Sequence, residues 1–273
     1  MTAVASVYCF AAEPAAAERR RLELLEARYD PLTFRRLAAV GVASGWACLE
    51  VGAGAGSVVR WLAGRVGRTG RVVATDLDPR FLGDKLGPTS STVEVRRHDI
   101  RTDPLEEGTF DFVHCRALLC HLDDPAAALH RMTTALRPGG WLLVENADYA
   151  TFDAATSEHP AAPAWSGAAL RVARSLVTSG VLDPMLGRRL PGLLAGLGLS
   201  DQGHEGIVRV HRGRTPAAEF FLQSIDSIRA RPVVGFDLPD ADREDLRAGL
   251  LDPSFSFVDA VSYAAWGRKA EPS

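Results

Sequence analysis

Cysteine is scarce: four in 273 residues, at positions 9, 48, 115 and 120, with no CxxC pair among them. That spacing excludes a cysteine-ligated metal and a disulfide scaffold, and it fits free thiols in a reducing cytoplasm. A basic face is also missing. The 31 Lys and Arg residues are scattered among 34 Asp and Glu, leaving a net charge of -3, so extended contact with a nucleic-acid backbone has no support. No apolar run is long enough to span a bilayer, and "MTAVASVYCFAAEPAAAERRR" lacks the basic region that opens a secretory signal. Internal repeats are absent. What remains is a cytoplasmic globular chain whose 47% apolar content suffices for a sizeable core.

The apolar residues have an order. "AAAERRRLELLEARYDPLTFRRLAAVGV" reads as two helices, because Leu22, Leu25 and Tyr29 recur at helical spacing and Asp30-Pro31 supplies a cap and a first-turn proline. The run Glu18 to Arg21 reads as a solvated face. From Trp46 to Asn146, strands at "WACLEV", "RVVATD", "VEVRRHD", "FDFVHC" and "WLLVEN" alternate with helices near 56–66, 79–85 and 124–136. Such alternation predicts a Rossmann-like, mostly parallel sheet with helices on both faces. "RPGG", Arg137 to Gly140, stops the last of these helices. Beyond it come helices in "ALRVARSLVTSG" and "GRRLPGLLAGLG", a strand at "GIVRVHR", a helix begun by Thr215-Pro216, and a closing strand in "FVDAVSYAAWGRK" that can run antiparallel. The expected organisation is a helical cap over 1–45, a ligand-binding core over 46–146, and over 147–273 a lid or pocket-building insertion with the remaining core strands.

Chemistry gathers at the strand ends. "LEVGAGAGSVV" places Gly52, Gly54 and Gly56 in the turn after the first strand, where missing β-carbons permit unusual backbone angles and let a ligand approach the main chain. A dinucleotide fingerprint needs a glycine where Ser57 stands. Glu50 would repel a pyrophosphate but suits an ammonium or sulfonium. Asp76, twenty positions after Gly56, can accept two hydrogen bonds from a ribose diol. Asp99, beside Ile100, can take an adenine amine, although Asp103 lies close enough to exchange roles with it. Glu50, Asp76, Asp99, Cys115 and Glu145 all end successive strands and so share one rim, where open α/β sheets bind ligands.

"LEVGAGAGSVVRWLA", "VVATDLDP", "RHDI", "FDFVHCRALLCHLDDP" and "LRPGGWLLVEN", in that order, resemble the class I methyltransferases that use S-adenosylmethionine, in particular the bacterial small-molecule branch. The resemblance implies a seven-stranded sheet with an antiparallel last strand. It assigns Glu50, Gly52, Ala53, Gly54 and Gly56 to the methionine end of the cofactor, Asp76 to the ribose, Leu77 to the adenine face, and Asp99 with the Ile100 main chain to the adenine edge. A carbonyl of Cys115 or Arg116 would face the methionine ammonium, and Tyr29 would close over the carboxylate.

His121 follows the fourth strand and is a candidate general base; the competing reading packs it under the cofactor or caps the next helix. Glu145 is a second candidate, as base or substrate orienter, against a simple pairing with a rim neighbour. His114, opposite Cys115 on its strand, is given no catalytic role. Tyr149, Phe152, Trp165 and Phe221 can shape an apolar acceptor site or belong to the core. The expected activity is methyl transfer to an oxygen, nitrogen or carbon of a small molecule in natural product biosynthesis, with no metal. The alternatives are a protein that binds S-adenosylmethionine without transferring its methyl group and an NAD-dependent oxidoreductase. The acceptor is unreadable at this stage, and a homodimer is left open.

Overall fold

A computed structural model describes residues 14–82, 86, 91–155, 158–230 and 236–271. Cys9 and the last part of the helix expected over 79–85 lie outside them. Cys48, Cys115 and Cys120 are buried free thiols.

One helix, α1 (Ala15–Val40), stands where the Asp30-Pro31 pair predicts two, with Pro31 in its interior and Gly41 closing it in the left-handed conformation. An interior proline costs a helix about 3 kcal/mol by removing a hydrogen bond and crowding the preceding turn. Here the neighbouring side chains are tied elsewhere. Asp30 does not cap; its Oδ1 accepts from Ser57 Oγ at 2.8 Å and from Arg116 Nη1 at 2.9 Å. Arg28, Tyr29, Thr33 and Arg36 are buried on the same stretch, and this anchoring outweighs the broken backbone bond.

Five parallel strands follow: β1 (Ala47–Val51), β2 (Arg71–Asp76), β3 (Val93–Arg97), β4 (Phe110–Arg116) and β5 (Leu136–Asp148). Next come β6 (Asp153–Ala154), β7 (Ser200–Ile207), β8 (Val210–Arg212), β9 (Ser256–Val258) and β10 (Val261–Arg268). The main sheet has seven strands in the order β3-β2-β1-β4-β5-β10-β7, with β10 antiparallel to both of its neighbours. It is the mostly parallel sheet with an antiparallel last strand that the sequence implies. Its faces are packed separately. Alternate residues Cys48, Val72 and Phe112 pack with α1 and α2 (Ser57–Val66), whereas Leu49, Val73 and Val113 pack with α3 (Pro125–Ala135) and α5 (Leu186–Ala195). Successive side chains of a strand point to opposite faces, and both faces here are covered, which makes the strands continuous apolar runs.

Two strand boundaries differ from expectation. α3 ends at Ala135, where "RPGG" is expected to stop it, but β5 already begins at Leu136, ahead of "WLLVEN". "GIVRVHR" splits between two sheets, because at Arg209 the chain turns to a charged cluster: the Arg209 carbonyl accepts from the Asp259 amide at 2.8 Å, and its guanidinium donates to the Arg28 carbonyl. β8 then joins β9 and β6 in a small antiparallel sheet.

Above the carboxyl ends of the strands sits a second helical layer: α4 (Ala162–Ser179), α6 (Pro216–Arg229) and α7 (Asp240–Leu251). They share an apolar cluster with Leu24 of α1, with Trp165, Phe220 and Phe257 at its centre. Ser262 pairs with Ala147 on one side and Ile207 on the other, so both excursions that build this layer leave the main sheet at one point on its rim. Among the described residues, no helix is long and apolar enough to cross a membrane.

Candidate functional site

The rim carries a cavity of about 1060 Å³. Its lower part is made by the turn after β1. Gly52, Gly54 and Gly56 have φ of 75°, 55° and 87°, a region where a β-carbon clashes with the backbone. The amides of Gly52 and Ala53 donate to the Thr75 carbonyl at 2.8 and 3.0 Å. The Gly54 amide donates to Asp76 Oδ2 at 2.9 Å, and the Asp78 amide to Asp76 Oδ1 at 2.9 Å. Asp76 is therefore aimed by both of its oxygens, each of which keeps acceptor capacity. Burial raises its pKa against the pull of those two amides. Leu77, 41% exposed, offers an apolar face on the cavity wall next to Asp76.

Asp99 also lines the cavity, and Arg101 holds it. Arg101 Nη2 lies 2.7 Å from Asp99 Oδ2 and its amide 3.0 Å from Oδ1, and this pairing lowers the Asp99 pKa. Asp103 does not exchange with it; its Oδ2 accepts the Asp99 amide at 2.8 Å and it lies off the cavity. Ile100 and Arg116 line the wall as well. Ala117, a non-glycine residue at φ 53°, also borders the cavity after β4. Such strain collects at ligand sites.

Beneath Glu50 lies a buried charge network that the strand pattern did not disclose. His114 Nδ1 is 2.7 Å from Glu50 Oε2, and its Nε2 is 3.6 Å from Glu145 Oε1. Burial alone would lower the His114 pKa; the two carboxylates overcome it and lift the pKa to about 9. Burial raises the Glu50 pKa while His114 opposes it. Glu145 accepts from Thr33 Oγ1 at 2.8 Å and from Arg36 Nη1 at 2.9 Å. Its pKa falls to about 2, because His114, Arg36 and Arg116 together overcome its burial. The sequence signal was available: a histidine at the strand position in register with Glu50.

Residues 49–144 match a family model described as "Methyltransferase domain". The glycine turn, Asp76 and the 3-2-1-4-5-10-7 strand order agree with that match, which takes in about a third of the chain. Residues 49–144 form a methyltransferase domain. Among curated relatives, methyltransferase str2 of Strobilurus tenacellus is 33% identical over 105 residues, covering 37% of this chain and 36% of the relative. The ubiquinone/menaquinone biosynthesis C-methyltransferase UbiE of Laribacter hongkongensis is 32% identical over 111 residues, or 40% and 46% of the two chains. The chain spans about half the length of the curated relatives it matches, or less. A solved structure of Haemonchus contortus phosphoethanolamine N-methyltransferase 2, with phosphomonomethylethanolamine and S-adenosylhomocysteine, is 15% identical. It superposes with a TM-score of 0.59 over 97% of this chain and 60% of its own, a likeness of fold.

In this methyltransferase domain Glu50, Gly52, Ala53, Gly54, Asp76, Leu77, Asp99, Ile100, Arg116 and His121 all line one cavity. Four expected residues do not. Gly56 serves the turn as the left-handed N-cap of α2, and a β-carbon on it would come within 2.9 Å of Leu82. Of the two carbonyl candidates, Arg116 lines the cavity, whereas Cys115 does not and its side chain is fully buried in the core packed under α3 and α5. Glu145 is held by Arg36, Thr33 and His114 and does not line the cavity. Tyr29 packs with Ala147 and Ala260, because α1 is continuous and offers no joint from which it could close.

The Glu18 to Arg21 run corrects in the other direction. Glu18 and Arg21 are 3% and 4% exposed, form a bidentate pair with both distances 2.7 Å, and border the cavity rather than solvent. Arg21 and burial together push the His121 pKa down to about 3, burial contributing more. His121 is thus a neutral ring at pH 7 that resists gaining a proton. Tyr149, Phe152 and Phe221 face the cavity, while Trp165 is core, its Nε1 donating to the Leu246 carbonyl at 3.2 Å.

Proposed function

We propose that this chain transfers a methyl group from S-adenosylmethionine to a small molecule held under α4 and α6. The observation that carries the reading is Asp76: a carboxylate fixed by two backbone amides at the tip of β2, on a cavity that continues from the glycine turn into an apolar chamber. The residues fit the cofactor. Glu50 and the Gly52 to Gly54 turn would hold its methionine end, Asp76 its ribose, and Leu77 with Asp99 and Ile100 its adenine. When bound, the cofactor supplies an electrophilic methyl on a sulfonium.

The protein's own contribution is then mainly placement and exclusion of water. Glu50, kept in place by His114, puts negative charge below the cationic end of the donor. Arg116, tied to Asp30 and Thr33, locks α1 over the same site. His121 lines the same cavity as a neutral ring, and its resistance to protonation argues against a base that stores a proton. In-line transfer, a cytoplasmic setting and a role in secondary metabolism belong to this proposal.

Equilibrium dialysis of the protein against S-adenosylhomocysteine and NAD in parallel tests it. Binding of S-adenosylhomocysteine without NAD is expected, and NAD binding in its place overturns the reading.

A further inference from the structure

The two parts of the cavity differ in chemistry. Its carboxylates and guanidinium groups lie on the donor side or on the first turns of α1. The part under the second helical layer is carbon: Phe220, Phe221, Ile225 and Ile228 from α6, with Val172 and Leu176 from α4. Arg28 does not break this pattern. Its guanidinium lies 4.5 and 5.1 Å from the ring centroids of Phe221 and Phe220, but it is fully buried, paired with Asp259 and not part of the cavity lining.

One polar atom on this wall is unusual. The Ser224 Oγ is buried and has no hydrogen-bond partner among the described residues, yet Ser224 lines the cavity beside Phe221 and Ile225. Serine in a helix ordinarily satisfies itself on the preceding turn or on solvent, and a buried hydroxyl left unsatisfied is costly. A ligand that meets Ser224 removes that cost. Ligand pockets run to roughly 300–1,000 Å³, and this cavity, at about 1060 Å³, lies at the top of that range, with the apolar part continuing beyond the donor side.

We propose that the methyl acceptor is a large uncharged molecule, mostly hydrocarbon, that offers one hydrogen-bonding group to Ser224. The inference rests on the methyltransferase reading and adds to it the acceptor's class and a residue that selects it. A charged acceptor is disfavoured because, among the described residues, the apolar wall presents no counter-ion, and an unpaired buried charge is far more costly than an unpaired hydroxyl.

The test uses the full chain saturated with S-adenosylhomocysteine and four probes in equilibrium dialysis: 4-nonylphenol, nonylbenzene, 4-nonylbenzoate and phosphoethanolamine. 4-Nonylphenol is expected to bind at least about 10-fold more tightly than 4-nonylbenzoate, with phosphoethanolamine weaker still. Ser224→Ala should weaken 4-nonylphenol by about 2- to 10-fold, the size of one neutral hydrogen bond, and leave nonylbenzene unchanged within about twofold. Ser224→Thr, which keeps the hydroxyl, should restore the phenol. Equal or tighter binding of either charged probe overturns the uncharged acceptor. An identical effect of Ser224→Ala on phenol and hydrocarbon overturns the role of Ser224. Failure of the chain to bind S-adenosylhomocysteine at all would count against the methyltransferase reading instead, so the two failures are distinguishable.

Discussion

Replacing His114 by Gln removes the cation between two buried carboxylates while keeping a hydrogen-bonding side chain of similar reach. In the folded protein the His114 pKa rises from 6.5 to about 9. A raised folded pKa means that the folded state holds the proton more tightly, so the stabilisation is complete below pH 6.5 and is lost as pH climbs through 9. At about 1.4 kcal/mol per pH unit, that interval corresponds to about 3 kcal/mol, and His114 is fully buried, so solvent screening does not reduce it. The same contacts hold Glu145 at about 2; the two shifts describe one interaction and are not summed. Breaking a buried pair from one side costs about 3–5 kcal/mol, which agrees. Urea unfolding of wild type and His114→Gln at pH 6 and pH 9.5 therefore should give a difference of about 3 kcal/mol at the lower pH, shrinking to below about 1 kcal/mol at the higher one. A difference that is equal at both pH values would refute a charged His114 and leave only a packing role.

Two further outcomes follow from the geometry. Asp76→Ala removes a carboxylate placed for two ribose hydrogen bonds, each worth about 1.5–3 kcal/mol to a charged group, so S-adenosylhomocysteine binding by calorimetry should weaken at least about 100-fold; a loss under threefold would move the ribose elsewhere. Gly56→Ala forces a β-carbon into a backbone at φ 87° and to within 2.9 Å of Leu82, for a destabilisation of about 1–3 kcal/mol, and an unchanged urea midpoint would show that the turn relaxes freely.

The parallel core was legible because strands covered on both faces read as unbroken apolar runs, each ending in a residue suited to a ligand. Asp76, Asp99 and the glycine turn could be placed from that rule alone. Other features depend on tertiary partners that sequence spacing does not carry. Asp30-Pro31 is a local start signal, overruled by Ser57 and Arg116 from distant segments. Glu18 and Arg21 look solvated until the cavity forms beside them, while Arg20 between them stays exposed. Glu145 and Cys115 end strands on the rim, but the Glu145 carboxylate is taken by Arg36 and the Cys115 side chain turns into the core. α7, "DADREDLRAGLL", escaped notice because it buries little besides Leu246, Gly249 and Leu250.

The common departure point of the two excursions, where Ser262 meets both Ala147 and Ile207, has an evolutionary consequence. Each excursion begins and ends within a few residues of the same corner, so lengthening or replacing one leaves every strand register below it untouched. The penalty is loop closure alone, about 0.6 kcal/mol for each doubling of length. On the proposed function, descendants of such a chain could change the methyl acceptor by rewriting the stretch after β5, while the strand ends proposed to hold the methyl donor stay fixed.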